Sequence, residues 1–175
     1  GRDWHVEIRE KKYPVDRNDF SFTRDGEKIL FDFAYITIHG VPGENGLLQG
    51  YLDMMGVPYG CCNVLASALT FDKHTCNTYL KSYGVNVADS VMLIRGMTYD
   101  VNEIINEVGL PCFVKPNAEG SSFGVTKVKE AAQLEDALKK AFALCREVLI
   151  ETFIDGTELT CGVVKAGDMD IAMPI

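Results

Sequence analysis

A GxxxxGK[ST] phosphate loop, a Cys-x-x-Cys pair, an 18-residue apolar run and a surplus of basic charge are all missing from this chain, and each absence removes a class of function. The formal net charge is −8 and the isoelectric point is near 4.9, so there is no basic footprint for a nucleic acid or an anionic membrane surface. Neither partner is expected. Six cysteines stand at 61, 62, 76, 112, 145 and 161 without zinc-ligand or thioredoxin-like spacing. Several fall within apolar runs, which suits buried, reduced thiols and a cytoplasmic location. With no long apolar run and no signal-peptide pattern, a membrane span is not expected either. Any anion site must be built locally, from a few lysines and backbone amides.

What the chain does have is core-forming material. It is 175 residues long, 47% hydrophobic and 24% charged, enough for one domain or two small ones. Its organising stretch runs from Pro111 to Val128: a short apolar run ending in Lys115, a loop of small residues, then a β-branched run. That order reads as strand, loop, strand. Gly120 and Gly124 allow close backbone approach and positive φ, Ser121 and Ser122 add hydroxyl donors, and Lys115 supplies a point charge suited to phosphate. The loop leads into a strand and not into a helix N-terminus, which separates it from P-loops. An ordinary glycine-containing hairpin has the same local signature, so this stretch alone leaves both readings open.

Along the chain, residues 4–8 alternate as a strand, and 10–28 are polar and turn-rich without a period. Residues 29–38 are strongly β-prone and are expected to form a buried strand. His39 to Gly46 follows at its carboxyl end, where ligands gather in open α/β sheets, so His39 and Glu44 become candidates. A satisfied structural histidine is the alternative for His39 taken alone. Leu47 to Met55 has helical spacing and Gly56 supplies its stop; Asn63 caps a helix over 64–69. Asp72 caps another from Lys73 to Tyr83. A lysine in a first turn opposes the helix dipole, which a shared anionic ligand would explain, as would plain solvation at the surface.

Val85 to Ile94 runs into a strand, and Asp100 with Glu103 spells a capping box for a helix over 101–108. Residues 130–145 place Leu134, Leu138, Ala141, Phe142 and Cys145 on one helical face. Residues 147–151 read as a strand, 152–156 as a connection, 157–164 as a strand, and 170–175 as a last strand after a turn at 165–168. Helix and strand alternate, which gives α/β or α+β layers.

Taken together, these motifs resemble the D-alanine–D-alanine ligases of the ATP-grasp superfamily. The residues that carry the resemblance are His39-Gly-Val-Pro-Gly-Glu44 with Gly46 and Leu48-Gln49-Gly50, Pro58-Tyr59, Asp72-Lys73 and Val114-Lys115-Pro116. Gly120-Ser121-Ser122-Phe123-Gly124-Val125, Val148 to Glu151 and Gly156 to Thr160 complete the series. Asn45 stands where the family often has Asp. The resemblance implies a Rossmann-like pre-ATP-grasp domain over 1–70, an ATP-grasp central subdomain over 71–153, and the start of a C-terminal subdomain over 154–175. It also implies ATP-dependent joining of two D-alanines through an acyl phosphate, with Mg2+ (or Mn2+) as cofactor and a homodimeric assembly.

By the same resemblance, Lys73 and Lys115 contact nucleotide phosphates, and the loop from Gly120 through Ser122 to Gly124 closes over them. Glu151, Phe153 and Ile154 hold adenine, and Glu158 accepts from ribose hydroxyls. His39 and Glu44 line the D-alanine side, and Ser121 belongs to a hydrogen-bonded relay. The family's first strand and substrate-binding glutamate are expected before Gly1, and its metal ligands and transition-state arginine after Ile175. No metal ligand is therefore assigned here, and the chain reads as the central portion of a longer enzyme. The rival readings are a ligase for another carboxylate and amine, and a non-catalytic nucleotide-binding module.

Overall fold

The computed structural model describes residues 3–120 and 123–175. Four short strands come first: β1 (His5–Ile8), β2 (Lys11–Asp16), β3 (Ser21–Arg24) and β4 (Glu27–Leu30), an antiparallel meander in chain order. The stretch 10–28, which shows no period in the sequence, is thus regular sheet. Its turns hold Arg9 and Glu10 at φ 48° and 67°, Phe20 at 52° and Asp25 at 53°. Most of these are not residue types that announce a left-handed turn, so the strand boundaries are muted.

Helix α1 (Leu47–Met55) is docked on the meander through rings. Tyr51 lies 5.3 Å from Trp4 and 5.7 Å from Phe20, and Phe20 lies 4.7 Å from Phe31. The Tyr51 hydroxyl donates to the Arg17 carbonyl at 2.8 Å. Gly56 ends α1 at φ 69°, as its sequence position suggests.

The expected buried strand over 29–38 is not found. Beyond β4 only Ala34 pairs, in a parallel bridge to Tyr59, and Tyr35 is 78% exposed. Among the described residues no second strand flanks this segment, so its apolar residues have a neighbour on one edge only. Helices α2 (Val64–Phe71) and α3 (Lys73–Ser82) follow, capped by Asn63 and Asp72, whose side chains accept from the Ala66 and Thr75 N–H groups.

The main sheet is built from β5 (Ser90–Ile94), β6 (Cys112–Pro116), β7 (Thr126–Val128) and β8 (Glu147–Thr152) in the order β5-β8-β6-β7, antiparallel throughout. Helices α4 (Val101–Val108) and α5 (Leu134–Leu144) cover one face. Asp100 caps α4 by accepting from the Asn102 and Glu103 N–H groups. A reciprocal capping box occurs instead at Glu130 and Gln133, ahead of α5.

Register decides which side chain goes to which face. Val114 is opposite Ile150, and Cys112 is opposite Val128 and Thr152. Opposed residues share a face, and Cys112, Val114, Val128 and Ile150 join Val148, Ile104, Val108, Leu134 and Leu138 in the core. One residue on, Phe113 is opposite Glu151 and Lys127, and Lys115 is opposite Leu149, so these occupy the other face. That second face carries the cleft.

The strand expected over 157–164 is confined to β9 (Val163–Ala166), which pairs only with β10 (Met169–Ala172) as a hairpin. Residues 157–162 have no ladder partner and are irregular, and β10 ends short of the expected 175. Helix and sheet are mixed, as the alternation predicts, but among the described residues all three sheets are antiparallel and the Ala34–Tyr59 bridge is parallel.

Candidate nucleotide and substrate clefts

A cleft of about 680 Å³ opens on the uncovered face of the main sheet, and Lys73, Lys115, Glu151, Phe153, Ile154 and Glu158 all line it. Four parts of the chain deliver these side chains. Lys115 projects from the end of β6, Glu151 from β8, Lys73 from the first turn of α3, and the remaining three from the segment that leaves β8. Phe113, Glu119, Val125 and Thr157 complete most of the wall.

The two lysines are held differently. The Lys115 ammonium is paired with the Glu151 carboxylate, which also accepts from Asn77 Nδ2 at 3.0 Å. The Lys73 ammonium donates to the carbonyls of Asn117 at 3.1 Å and Glu119 at 2.6 Å. Burial pushes the Lys73 pKa below its ordinary value, and the neighbouring Lys115 charge pushes in the same direction. Two ammonium groups on one partly desolvated wall make a receptor for polyanionic oxygen; a phosphate chain would relieve both effects.

Phe153 forms an apolar end to the cleft. Its ring lies 5.8 Å from that of Phe113, and Lys127 Nζ stands 3.3 Å from its centroid. A cation over one ring face fixes the ring and leaves an aromatic wall for a planar base. Ile154 is 66% exposed beside it. Glu158 sits on the irregular segment following β8, an acceptor-only group at the cleft edge.

His39 and Glu44 are brought together elsewhere, at a smaller cavity of about 340 Å³ that also includes Gln49, Cys61, Ser67 and Thr70. His39 Nδ1 lies 3.5 Å from Glu44 Oε1, and Glu44 Oε2 accepts from the Gly40 N–H at 2.6 Å. Glu44 thereby ties the imidazole to the loop that carries it. Gly120 reaches this side too: a Cβ on it would lie 3.3 Å from His39 Nε2 and 3.7 Å from Glu44 Oε2. The hairpin loop therefore spans from the Lys115 cleft to the His39 cavity.

Gly124 does not line either space. It has φ 76°, and a Cβ there would come within 2.4 Å of Leu144 Cδ1 and 3.0 Å of Pro116 Cγ, so packing and backbone both require glycine. Ser121 and Ser122 lie outside the described residues. Among the described residues, no group of three or more His, Cys, Asp or Glu side chains could hold a metal ion. No helix of the described residues is long and apolar enough to cross a membrane.

Sequence reasoning passes over Asn117, Asn77, Phe113 and Lys127, which support the cleft without belonging to a recognisable motif. Lys127 could have been found by pairing β6 with β7 across the loop, since that register sets it opposite Phe113.

Fold and cleft together define a mixed helix-and-sheet protein with a lysine-lined cleft on an antiparallel sheet. A family model described as the D-ala D-ala ligase C-terminus matches residues 79–175. The D-alanine–D-alanine ligase of Phocaeicola vulgatus is 57% identical over all of this chain and 54% of its own length, and that of Porphyromonas gingivalis W83 is 52% identical over 98% of the chain and 53% of its own. Among solved structures, the D-alanine–D-alanine ligase of Coxiella burnetii superposes with a TM-score of 0.83 at 28% identity, covering 92% of this chain and 49% of that one. The VanG D-Ala:D-Ser ligase of Enterococcus faecalis gives 0.79 at 33% identity, covering 94% and 49%. The chain belongs to the D-alanine–D-alanine ligase family. It spans about half the length of the curated relatives it matches.

Proposed function

We propose that the cleft binds ATP and that the protein carrying this chain joins two D-alanine molecules into D-alanyl-D-alanine for peptidoglycan precursor synthesis. The observation that carries this reading is the convergence of Lys73 and Lys115, from separate elements, on one cleft whose far end is aromatic. A polyanion with a planar base fits both ends. The relatives' names supply the substrates, and the position of His39 and Glu44 beside Gly120 supplies a place for them.

In this reading the carboxylate of one D-alanine attacks the γ-phosphorus of ATP and ADP leaves. The amine of the second D-alanine then attacks the acyl carbon, and phosphate leaves. No protein nucleophile is required. The chain's contribution is positioning and charge neutralisation: Lys73 and Lys115 hold phosphate oxygens, the loop from Gly120 through Ser121 and Ser122 covers them, and Phe153 with Ile154 walls the base. Glu151 holds the adenine side, Glu158 takes ribose hydroxyls, and His39 fixed by Glu44 faces the D-alanine side.

Mg2+ (or Mn2+) would neutralise charge developing on the transferred phosphoryl group, with its ligands outside residues 1–175. The domain division belongs to the same proposal: a Rossmann-like unit over 1–70, a central ATP-grasp subdomain over 71–153 and the start of a further one from 154. So do the homodimer and the cytoplasmic location.

Phosphate release by the intact protein with ATP and D-alanine, with the product identified by mass, tests the reading. Release that depends on D-alanine supports it, and nucleotide binding without any D-alanine-dependent release favours a non-catalytic module. D-serine belongs in the same assay as second substrate, because the likeness to the VanG D-Ala:D-Ser ligase favours testing that amine.

A further inference from the structure

We propose that Asn117 is a positioning residue for the phosphate end of the cleft, setting Lys73 against Lys115 without touching the ligand. The inference rests on the nucleotide reading above. Asn117 is fully buried, so no ligand atom reaches it. It stands two residues beyond Lys115, at the end of β6, where the chain passes the first turn of α3.

Every polar group of Asn117 is engaged there. Its carbonyl accepts from the Lys73 N–H at 3.3 Å and from the Lys73 ammonium at 3.1 Å. Its side-chain Oδ1 accepts from the next N–H of the helix, that of His74, at 2.9 Å. Two donors that an α-helix leaves free at its start are thus both taken by one residue. On the other side, Nδ2 donates to Asp72 Oδ2 at 2.8 Å and Glu147 Oε2 at 3.2 Å, and the Asn117 N–H donates to the Glu147 carbonyl at 2.9 Å. The start of α3, the end of β6 and the start of β8 are tied by a single amide.

A cation in the first turn of a helix opposes the dipole, and this one is also partly desolvated and repelled by Lys115. Left to itself the Lys73 side chain would turn to solvent. Asn117 prevents this twice, by offering its carbonyl to the ammonium and by pinning the helix start from which the side chain springs. Removing the side chain frees the His74 N–H and leaves Asp72 and Glu147 one donor short each, so the register between Lys73 and Lys115 loosens.

The test is a calorimetric titration of the intact protein with ATP and, separately, with adenosine, for wild type, Asn117→Ala, Lys73→Ala and the double variant. Asn117→Ala is expected to weaken ATP binding about tenfold while changing adenosine binding less than about twofold, because adenosine has no phosphate for Lys73 to hold. In the Lys73→Ala background the same substitution should cost less than about twofold for ATP, as expected of two residues acting as one unit.

Equal losses for ATP and adenosine would reduce Asn117 to a packing role and overturn the inference. So would unchanged ATP affinity, or losses that multiply in the double variant. If Asn117→Ala does not fold, Asn117→Ser carries the same comparison, with a smaller ATP-selective loss expected and a non-selective one overturning it. Wild type that binds adenosine and ATP equally, or neither, sinks the nucleotide reading itself, a result distinct from all of these.

Discussion

Lys73 is the residue on which the charge balance of the cleft turns. Lys115, Glu119, Glu151 and Cys145 act on it electrostatically, and burial with the Lys115 charge lowers its pKa below the ordinary 10.5. Between the lowered value and the ordinary one, the unfolded chain binds more protons than the folded one, so this group makes stability rise with pH across that window. A bound phosphate reverses the preference by stabilising the ammonium. ATP binding should therefore take up a proton in the same window, and affinity should fall as pH rises through the Lys73 pKa of the ligand-free protein. Calorimetry in two buffers of different ionisation enthalpy reads this directly. Proton uptake that persists in Lys73→Met would assign the effect to another group.

His39 makes a contrasting prediction at the same scale. It lies in the smaller cavity with Glu44, away from the lysine-lined wall. His39→Gln should alter the KM or kcat for D-alanine and leave ATP affinity within about twofold, less than loss of a typical hydrogen bond. Unaltered D-alanine kinetics would return His39 to a structural role held by Glu44.

At the scale of elements, the β6–loop–β7 hairpin joins core to cleft. Alternate residues of β6 point to opposite faces, with Val114 in the core and Phe113 and Lys115 in the cleft. Gly124 closes the hairpin against Pro116 and Leu144 at φ 76°. Gly124→Ala should destabilise the protein by about 1 to 3 kcal/mol, combining left-handed strain with overpacking. Urea denaturation checks this, and an unshifted midpoint would show that Leu144 and Pro116 yield freely.

The same hairpin was legible from the sequence, because a lysine after an apolar run and glycines in the loop are strong local signals. The first meander was less so. Its turn at Asp25-Gly26 is a recognisable hairpin dipeptide, but the one at Arg9-Glu10 is not, and although His5–Ile8 alternates, a four-residue strand such as Ser21–Arg24 is too short to show a period. The segment 29–38 misleads in the opposite sense. Its composition is that of a buried strand, and burial depends on neighbours that local composition does not describe. Asn117 was illegible for a related reason: its partners Lys73, His74, Asp72 and Glu147 are 30 or more positions away, and only the folded chain assembles them.

For the whole molecule, one loop runs from the lysine-lined cleft where β6 ends to the point where Gly120 meets His39 and Glu44, and the proposed function assigns phosphate to the first and D-alanine to the second. The family resemblance rests on motifs spread along nearly the whole chain and is therefore legible in the sequence, whereas the antiparallel order of the sheets is not. The central claim is that the lysine-lined cleft is where nucleotide phosphate is held. It is tested most directly by calorimetric titration of ATP into the intact protein and its Lys115→Ala variant. Loss of a charge-assisted contact is worth about 1.5 to 3 kcal/mol, so the variant should bind ATP about tenfold more weakly or worse. Equal affinity in the two proteins would contradict the account.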